Sequence, residues 1–490
     1  MQDVERGGVH LKYPWRVTVD DSGRPSPASR PRGSATHDLE RYASLLASRT
    51  RVMTSSAMRD LMAITERPEV ISLAGGLPDV SGFPPQMLER VAKAMTDGAG
   101  PRRARRPYGP TEGMAKVHEA IQVVMAEEGT QVDLGELLVT TGGQQAIDLV
   151  CKTLVDPGDV VLAEGPTYPG AIPSFTAYQA DVRQLEMDEH GLRIDLLEET
   201  LDQLDEAGIR PKFLYTIPTF QNPAGVTMSL ERRKQLVKIA QERELLVVED
   251  SPYSLLRYEG DPLPTLRSLD GGNYVIYLGT FSKILAAGLR IGWIAAPRAI
   301  RQKMNIGKQG ADLCSPSTSQ VVIEACFQDL PLWRSYLEDV KGRYQGRRDV
   351  MLSSLAHAMP EGTSWTRPEG GLFLWVTLPE ALDTTDLLAR ALRSNVAFVP
   401  GRAAYTDGRG GHSMRVNFSG VNADDIHEGV RRIGDVVFEQ LELYGDVMGE
   451  APPKRRATDR PTGAKPPVDD APEQGALVEF PRRRSAERPA

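Results

Sequence analysis

Apolar and polar positions fall into two kinds of block along the middle of the chain. Short, almost wholly apolar runs predict strands: ELLVTT (136–141), DVVLAE (159–164), PKFLYTIP (211–218), LLVVED (245–250), NYVIYLG (273–279) and RIGWIAA (290–296). Between them lie amphipathic stretches that predict helices. QQAIDLVCKTL (144–154) follows Gly142-Gly143, and SLERRKQLVKIAQER (229–243) starts at Ser229, a residue suited to the N-cap. Apolar strands separated by helices predict an α/β fold with a largely parallel sheet covered on both faces. From about residue 330 the pattern changes. A long helical stretch (332–358) precedes LFLWVTLP (372–379), VAFVP (396–400) and MRVNF (414–418), and ADDIHEGVRRIGDVVFEQLELY (423–444) closes the ordered part. Fewer strands and longer helices predict a smaller α+β domain. The chain carries no internal repeat.

Both ends are polar and rich in Pro and charge, so residues 1–40 and 448–490 are expected to be unfolded extensions. The remaining boundaries are expected at 41–85 (an N-terminal arm packing with the small domain), 86–330 (the large domain) and 331–447 (the small C-terminal domain). Composition narrows the classes. A chain of 490 residues with 40% hydrophobic and 25% charged residues is that of a globular protein. Its net charge of −8 argues against a general nucleic-acid binder. Cys151, Cys314 and Cys326 are too few and too scattered for a disulfide scaffold or a zinc site, so no metal is expected and a reducing cytoplasm fits best. No run reaches membrane-spanning length, and residues 1–30 lack the apolar segment of a signal peptide.

Candidate chemistry sits where strands end, which is where open α/β sheets bind ligands. Gly142-Gly143-Gln144 lies between a strand and a helix start; it is a tight turn, or an anion site built from backbone N–H groups. Asn222 follows a strand in PTFQNPAG, where Asn-Pro is also a plain turn signal. Asp250 ends LLVVED with Tyr253 close behind; such an aspartate caps the next segment, binds a metal or faces a cation. Lys283 stands in GTFSKILAAGLRIGW with Thr280, Ser282 and Arg290 nearby, and a lysine is seldom buried without a partner. Taken together, these residues fit one small molecule. An amine with a lowered pKa attacks an aldehyde, hydroxyls and a guanidinium hold a phosphate, and a carboxylate faces a cationic ring nitrogen. Asn222 and Tyr253 serve a phenolate oxygen. Pyridoxal 5′-phosphate carries all of these groups.

From about residue 50 to about 445 the chain resembles the fold-type I pyridoxal-phosphate-dependent aminotransferases of class I/II, in particular the α-aminoadipate/kynurenine aminotransferase subgroup. The resemblance rests on ISLAGGLPD, YGPTEG, TTGGQQAIDLV, EGPTYPGA, PTFQNPAG, VEDSPY, TFSKILAAGLRIGW, GGLFLWV, VPG and MRVNFSG, in that order. It implies a mostly parallel, seven-stranded type of large-domain sheet. It assigns Lys283 as the imine-forming lysine, Asp250 as the partner of the ring nitrogen, and Asn222 and Tyr253 as contacts of the ring oxygen, with Lys283, Asp250 and Tyr253 catalytic. Tyr168 would stack on the ring, and Gly143, Gln144, Thr280, Ser282 and Arg290 would hold the phosphate. Tyr108 would reach the phosphate of a neighbouring subunit, which implies a homodimer with shared active sites. Arg415, with Gly76 and Asn222, would bind the substrate, its fork taking the α-carboxylate. Arg59 would meet a distal carboxylate, or is a solvated arginine on an amphipathic helix. Relatives often carry serine where Gly143 and Thr280 stand, so the turn at 143 is left with backbone donors only.

The implied reaction is a ping-pong transamination, from an L-amino acid of the 2-aminoadipate, aromatic or branched-chain type to a 2-oxo acid such as 2-oxoglutarate. Two other classes compete. Another reaction of the same cofactor on the same fold (oxidase, lyase or decarboxylase) is compatible with these motifs. A ligand-sensing regulator would need a DNA-binding module, for which about fifty Pro/Gly-rich residues leave little room.

Overall fold

In the computed structural model the described residues are 42, 45–53, 61, 67–76, 78, 79, 81–96 and 108–449. Arg59 and the expected extensions 1–40 and 448–490, apart from Met448 and Gly449, lie outside them. Residues 1–53 and 54–490 form separate units. In the first, the described residues include a short 3-10 helix, Ser48–Arg51.

In the second unit, β1 (Ile71–Ser72) precedes the main sheet. That sheet comprises β2 (Leu137–Thr140), β3 (Val160–Gly165), β4 (Asp181–Asp188), β5 (Gly191–Leu192), β6 (Phe213–Thr216), β7 (Val247–Asp250), β8 (Val275–Thr280) and β9 (Gly292–Ala295). Its order is β2-β9-β8-β7-β6-β3-β4-β5. Every residue of β2, β3, β6, β7, β8 and β9 is buried, as expected of strands covered on both faces. The strands from β8 through β4 run parallel, and β9 is antiparallel to both its neighbours.

The sheet has eight strands where seven are expected. The eighth is the two-residue β5, which turns back on β4 through a hairpin at His190, whose N–H bonds Asp188 Oδ1 at 2.8 Å. β4 itself, DVRQLEMD, escapes a reading based on apolar runs because it is mostly only half-buried. The run 396–400 splits in two. β12 (Val396–Ala397) pairs with β1, whereas β13 (Val399–Pro400) pairs with β14 (Ser413–Asn417). With β10 (Ser364–Trp365) and β11 (Phe373–Thr377), β13 and β14 form a four-stranded antiparallel sheet.

The expected helices form at Gly143–Leu154, Leu230–Glu242, Leu330–Ala358 and Ala423–Met448. Ser229 caps the second by accepting from the Arg232 N–H, and Asp329 caps the third by accepting from Leu332. The last two helices pack so closely that a Cβ on Gly434 would lie 2.5 Å from the Ala358 carbonyl oxygen.

The sheet order fixes where a ligand can sit. The chain leaves β3 toward β4 on one side and returns as β6 on the other. Loops leaving β3 and β6 therefore diverge, opening a crevice at their carboxyl ends. The first loop carries Tyr168 and the second Asn222.

Candidate active site

β7 and β8 deliver the two charged groups at the floor of that crevice. Asp250 is the last residue of β7 and is 8% exposed. β8 ends at Thr280, and the turn that follows buries Phe281 and presents Lys283. Lys283 Nζ donates to the Gly76 carbonyl at 2.6 Å. Burial lowers the Lys283 ammonium to about 8; Arg415 and Arg290 push the same way and Asp250 opposes them. Burial also raises the Asp250 carboxyl to about 6, against a hydrogen bond from Tyr215 and the charge of Lys283. Each group is thus displaced toward neutrality, as a site built to receive a compensating ligand requires.

One cavity of about 250 Å³ gathers Lys283, Asp250, Asn222, Tyr253, Tyr168, Gly143, Gln144, Thr280, Ser282, Arg290, Gly76 and Arg415. Twelve of the fourteen site residues expected from the sequence therefore converge. Arg59 lies outside the described residues, and Tyr108 is 70% exposed and absent from this lining.

At one end of the cavity, Gly142 at φ +80° opens the helix Gly143–Leu154, whose first N–H groups have no partner within the helix. A Cβ on Gly142 would lie 2.4 Å from Arg290 Nη2, so only glycine lets the guanidinium approach. Among the described residues Arg290 makes only long hydrogen bonds, of 3.4 Å to the Ala287 and Thr141 carbonyls. The Gln144 side chain turns away to Gly170 O (2.8 Å) and Ser174 Oγ (2.9 Å), so its contribution here is its backbone N–H. Thr280 Oγ1 and Ser282 Oγ are 2.9 Å apart beside them. Donors gathered in this way at a helix start are of the kind that suits an anion.

At the other side, Arg415 is 2% exposed in the middle of β14, which rules out a solvated strand charge. Its Nη1 donates to Asn222 Oδ1 at 3.0 Å, and its Nη2 donates to Ala74 O (2.7 Å) and Gly75 O (3.1 Å). The guanidinium lies 4.2 Å from the centre of the Phe373 ring. Asn222 Nδ2 in turn donates to Tyr253 Oη at 3.3 Å.

The sequence reading missed several supporting residues. Tyr215, inside β6, donates to Asp250 Oδ2 at 2.6 Å. Glu164, at the end of β3, accepts from Thr216 Oγ1, from the Ile217 N–H (3.0 Å) and from Gln221 Nε2 (3.2 Å). Gln221 also donates to Pro166 O at 2.7 Å, so this pair ties the Tyr168 loop to the Asn222 loop. The signal for Glu164 was present, since it is a carboxylate ending an apolar run as Asp250 does.

The family model for aminotransferases of class I and II matches residues 68–433. The chain belongs to that family. This aminotransferase is 39% identical over 412 residues to the aromatic-amino-acid aminotransferase 1 of Thermococcus litoralis, covering 83% of this chain and 96% of that one. It is 40% identical to the Pyrococcus horikoshii kynurenine aminotransferase solved with PMP, kynurenine and its product, at a TM-score of 0.78, covering 83% and 100% of the two chains. It is 36% identical to the α-aminoadipate aminotransferase of Thermus thermophilus solved with N-(5′-phosphopyridoxyl)-L-leucine, at a TM-score of 0.75, covering 82% and 99%. The aminotransferase is a transaminase of fold type I, and its cofactor is pyridoxal 5′-phosphate. The donor set fits that group, since one cavity is lined by anion-suited donors at the 142–144 turn and Arg290, a buried carboxylate, a lysine and an amide–phenol pair.

Proposed function

We propose that this aminotransferase transfers the amino group of several L-amino acids, of 2-aminoadipate, aromatic and branched-chain type, to a 2-oxo acid such as 2-oxoglutarate. One observation carries the reading: the fork of Arg415 lies buried and paired with Asn222 in the same cavity as Lys283. An α-carboxylate held there sets its Cα beside the lysine amine, and the site's recognition of the side chain is left to apolar walls such as Ile147, Ile217 and Phe373. Breadth is further supported by the relatives, whose names span aromatic, kynurenine and α-aminoadipate donors.

When bound, the cofactor supplies the aldehyde that takes up the amino group and the electron-poor ring that withdraws charge from Cα. Lys283 would take a proton from the substrate Cα and return it, a task suited to an amine brought down to about 8. Asp250 holds a proton on the ring nitrogen. Asn222 and Tyr253 would hold the ring through its oxygen, Tyr168 would cover its face, and Gly76 would face the substrate. The N–H groups of Gly143 and Gln144, with Thr280, Ser282 and Arg290, hold the phosphate. Tyr108, exposed on this chain, reaches the phosphate of a second subunit in a homodimer, and Arg59 meets a distal carboxylate. The reading includes a cytoplasmic location and the division into an arm (41–85), a large domain (86–330) and a small domain (331–447). No helix among the described residues is long and apolar enough to cross a membrane.

The test supplies 2-aminoadipate, kynurenine and leucine in turn, each with and without 2-oxoglutarate, and glutamate with and without pyruvate, to wild type and Arg59→Ala. Several donors should turn over repeatedly to 2-oxo acid only when the acceptor is present, and Arg59→Ala should weaken the acidic donors selectively. Ammonia or peroxide released without an acceptor would overturn the transamination reading.

A further inference from the structure

Lys308 is a lysine with 0% of its side chain exposed, and no step above uses it. It sits on the helix Arg298–Gln309, which packs against the helix Gly143–Leu154. Its Nζ donates to Asp312 Oδ1 at 2.6 Å and to Gln145 Oε1 at 3.0 Å. The other Asp312 oxygen, Oδ2, accepts from Gln145 Nε2 at 2.7 Å and from Thr141 Oγ1 at 2.6 Å. Gln145 Oε1 also accepts the Thr141 backbone N–H at 2.7 Å. Lys308, Asp312, Gln145 and Thr141 thus close a ring of hydrogen bonds on the residue immediately before Gly142-Gly143. Both donors of Thr141 bond into it, and its Oγ1 also lies 3.3 Å from Ser315 Oγ.

The opposite side of the turn is equally constrained. A Cβ on Gly292 of β9 would lie 2.9 Å from Gly142 C and 3.0 Å from Gly143 N. The turn has no side chain of its own at 142 or 143, so all it offers an anion is the direction of its N–H groups. Charge matters too. Burial drives the Lys308 ammonium down while Asp312 holds it up, and the bonds from Lys308, Thr141 and Gln145 leave Asp312 below the usual carboxylate range despite its own desolvation. The geometry is that of a charge pair, with Lys308 Nζ and Asp312 Oδ1 2.6 Å apart. Without Lys308 an uncompensated carboxylate would stand bonded to the turn and repel a phosphate dianion.

We propose that Lys308, acting through Asp312 and Gln145, is a positioning residue that fixes the Thr141–Gly143 turn and neutralises the charge behind it, so that the turn binds the cofactor's phosphate. The inference rests on reading that turn as the phosphate cradle. The test strips the cofactor from full-length wild type, Lys308→Met and Thr141→Val, then measures the affinity of each for pyridoxal 5′-phosphate and for pyridoxal, which lacks the phosphate. By analogy with residues that orient metal ligands, Lys308→Met should weaken the phosphorylated cofactor about tenfold or more and pyridoxal by no more than about twofold. Thr141→Val should show the same selectivity to a smaller degree, and it decides the matter if Lys308→Met does not fold. Equal losses for both ligands, or no loss for either, overturn the inference. A wild type that binds both ligands equally overturns the cradle reading itself, and the inference with it.

Discussion

Tyr215 Oη donates to Asp250 Oδ2 at 2.6 Å, and the two residues end up side by side because β6 and β7 are parallel neighbours. The bond stabilises the ionised carboxylate against its burial. Tyr215→Phe keeps the ring's edge contact with Phe175 and removes the donor. Asp250 then rises above about 6, its hold on a protonated ring weakens, and kcat should fall about tenfold. The acid limb of the pH–rate profile should shift to higher pH in the same variant. An unshifted limb would mean that Tyr215 only fills space.

The raised Asp250 carboxyl also makes a prediction about stability without cofactor. Its pKa is about 6 in the fold against an ordinary 3.8. A raised carboxyl adds stability that is full below about 4 and lost as pH rises through about 6. At pH 8 the buried charge therefore costs on the order of 2 to 3 kcal/mol. Cofactor-free Asp250→Asn should melt above cofactor-free wild type at pH 8, and the difference should shrink below pH 4. Thermal unfolding at the two pH values measures this.

Lys283 provides a direct titration. With its ammonium lowered to about 8, it is largely a neutral amine at pH 9, where an ordinary lysine is not. Competitive acetylation of the cofactor-free protein, read by peptide mass spectrometry, should show Lys283 labelling with a midpoint near 8, well below the ordinary lysine value of about 10.4. A midpoint shared with the exposed lysines would remove the basis for its role in proton transfer.

Arg415 should separate binding from chemistry. Arg415→Lys keeps the charge but loses the planar fork that meets Asn222, Ala74 and Gly75. Losing one arm of a charge-assisted pair costs about 1.5 to 3 kcal/mol, so KM should rise roughly 10- to 150-fold. Donor and 2-oxo acid share the α-carboxylate and should be affected alike. Steady-state kinetics on both substrates checks it.

How far the site was legible depended on where each residue stands in its element. Asp250 and Lys283 were readable because a charged residue at the end of an apolar run breaks the pattern that burial dictates. Tyr215 was not, because within FLYT it satisfies the pattern of a packed strand, and only the adjacency of β6 and β7 gives its hydroxyl a carboxylate. Lys308 was hidden as well. Nothing in the local pattern of its polar helix sets it apart, and its burial depends on a segment more than 150 residues earlier in the chain. The parallel core was legible from its apolar strands, whereas the direction of β9 was not, since RIGWIAA reads the same whichever way it runs. Contacts made by crossover are set by topology, which no local pattern encodes.

Gly292 sits where main chain meets main chain, with a would-be Cβ 2.8 Å from the Gly279 carbonyl oxygen as well as against the 142–143 turn. No rotamer relieves such an overlap, because neither neighbour has a side chain to move. Variant libraries aimed at broadening what this catalyst accepts should therefore diversify the apolar walls freely and leave codon 292 untouched, since at that position the alphabet has a single letter.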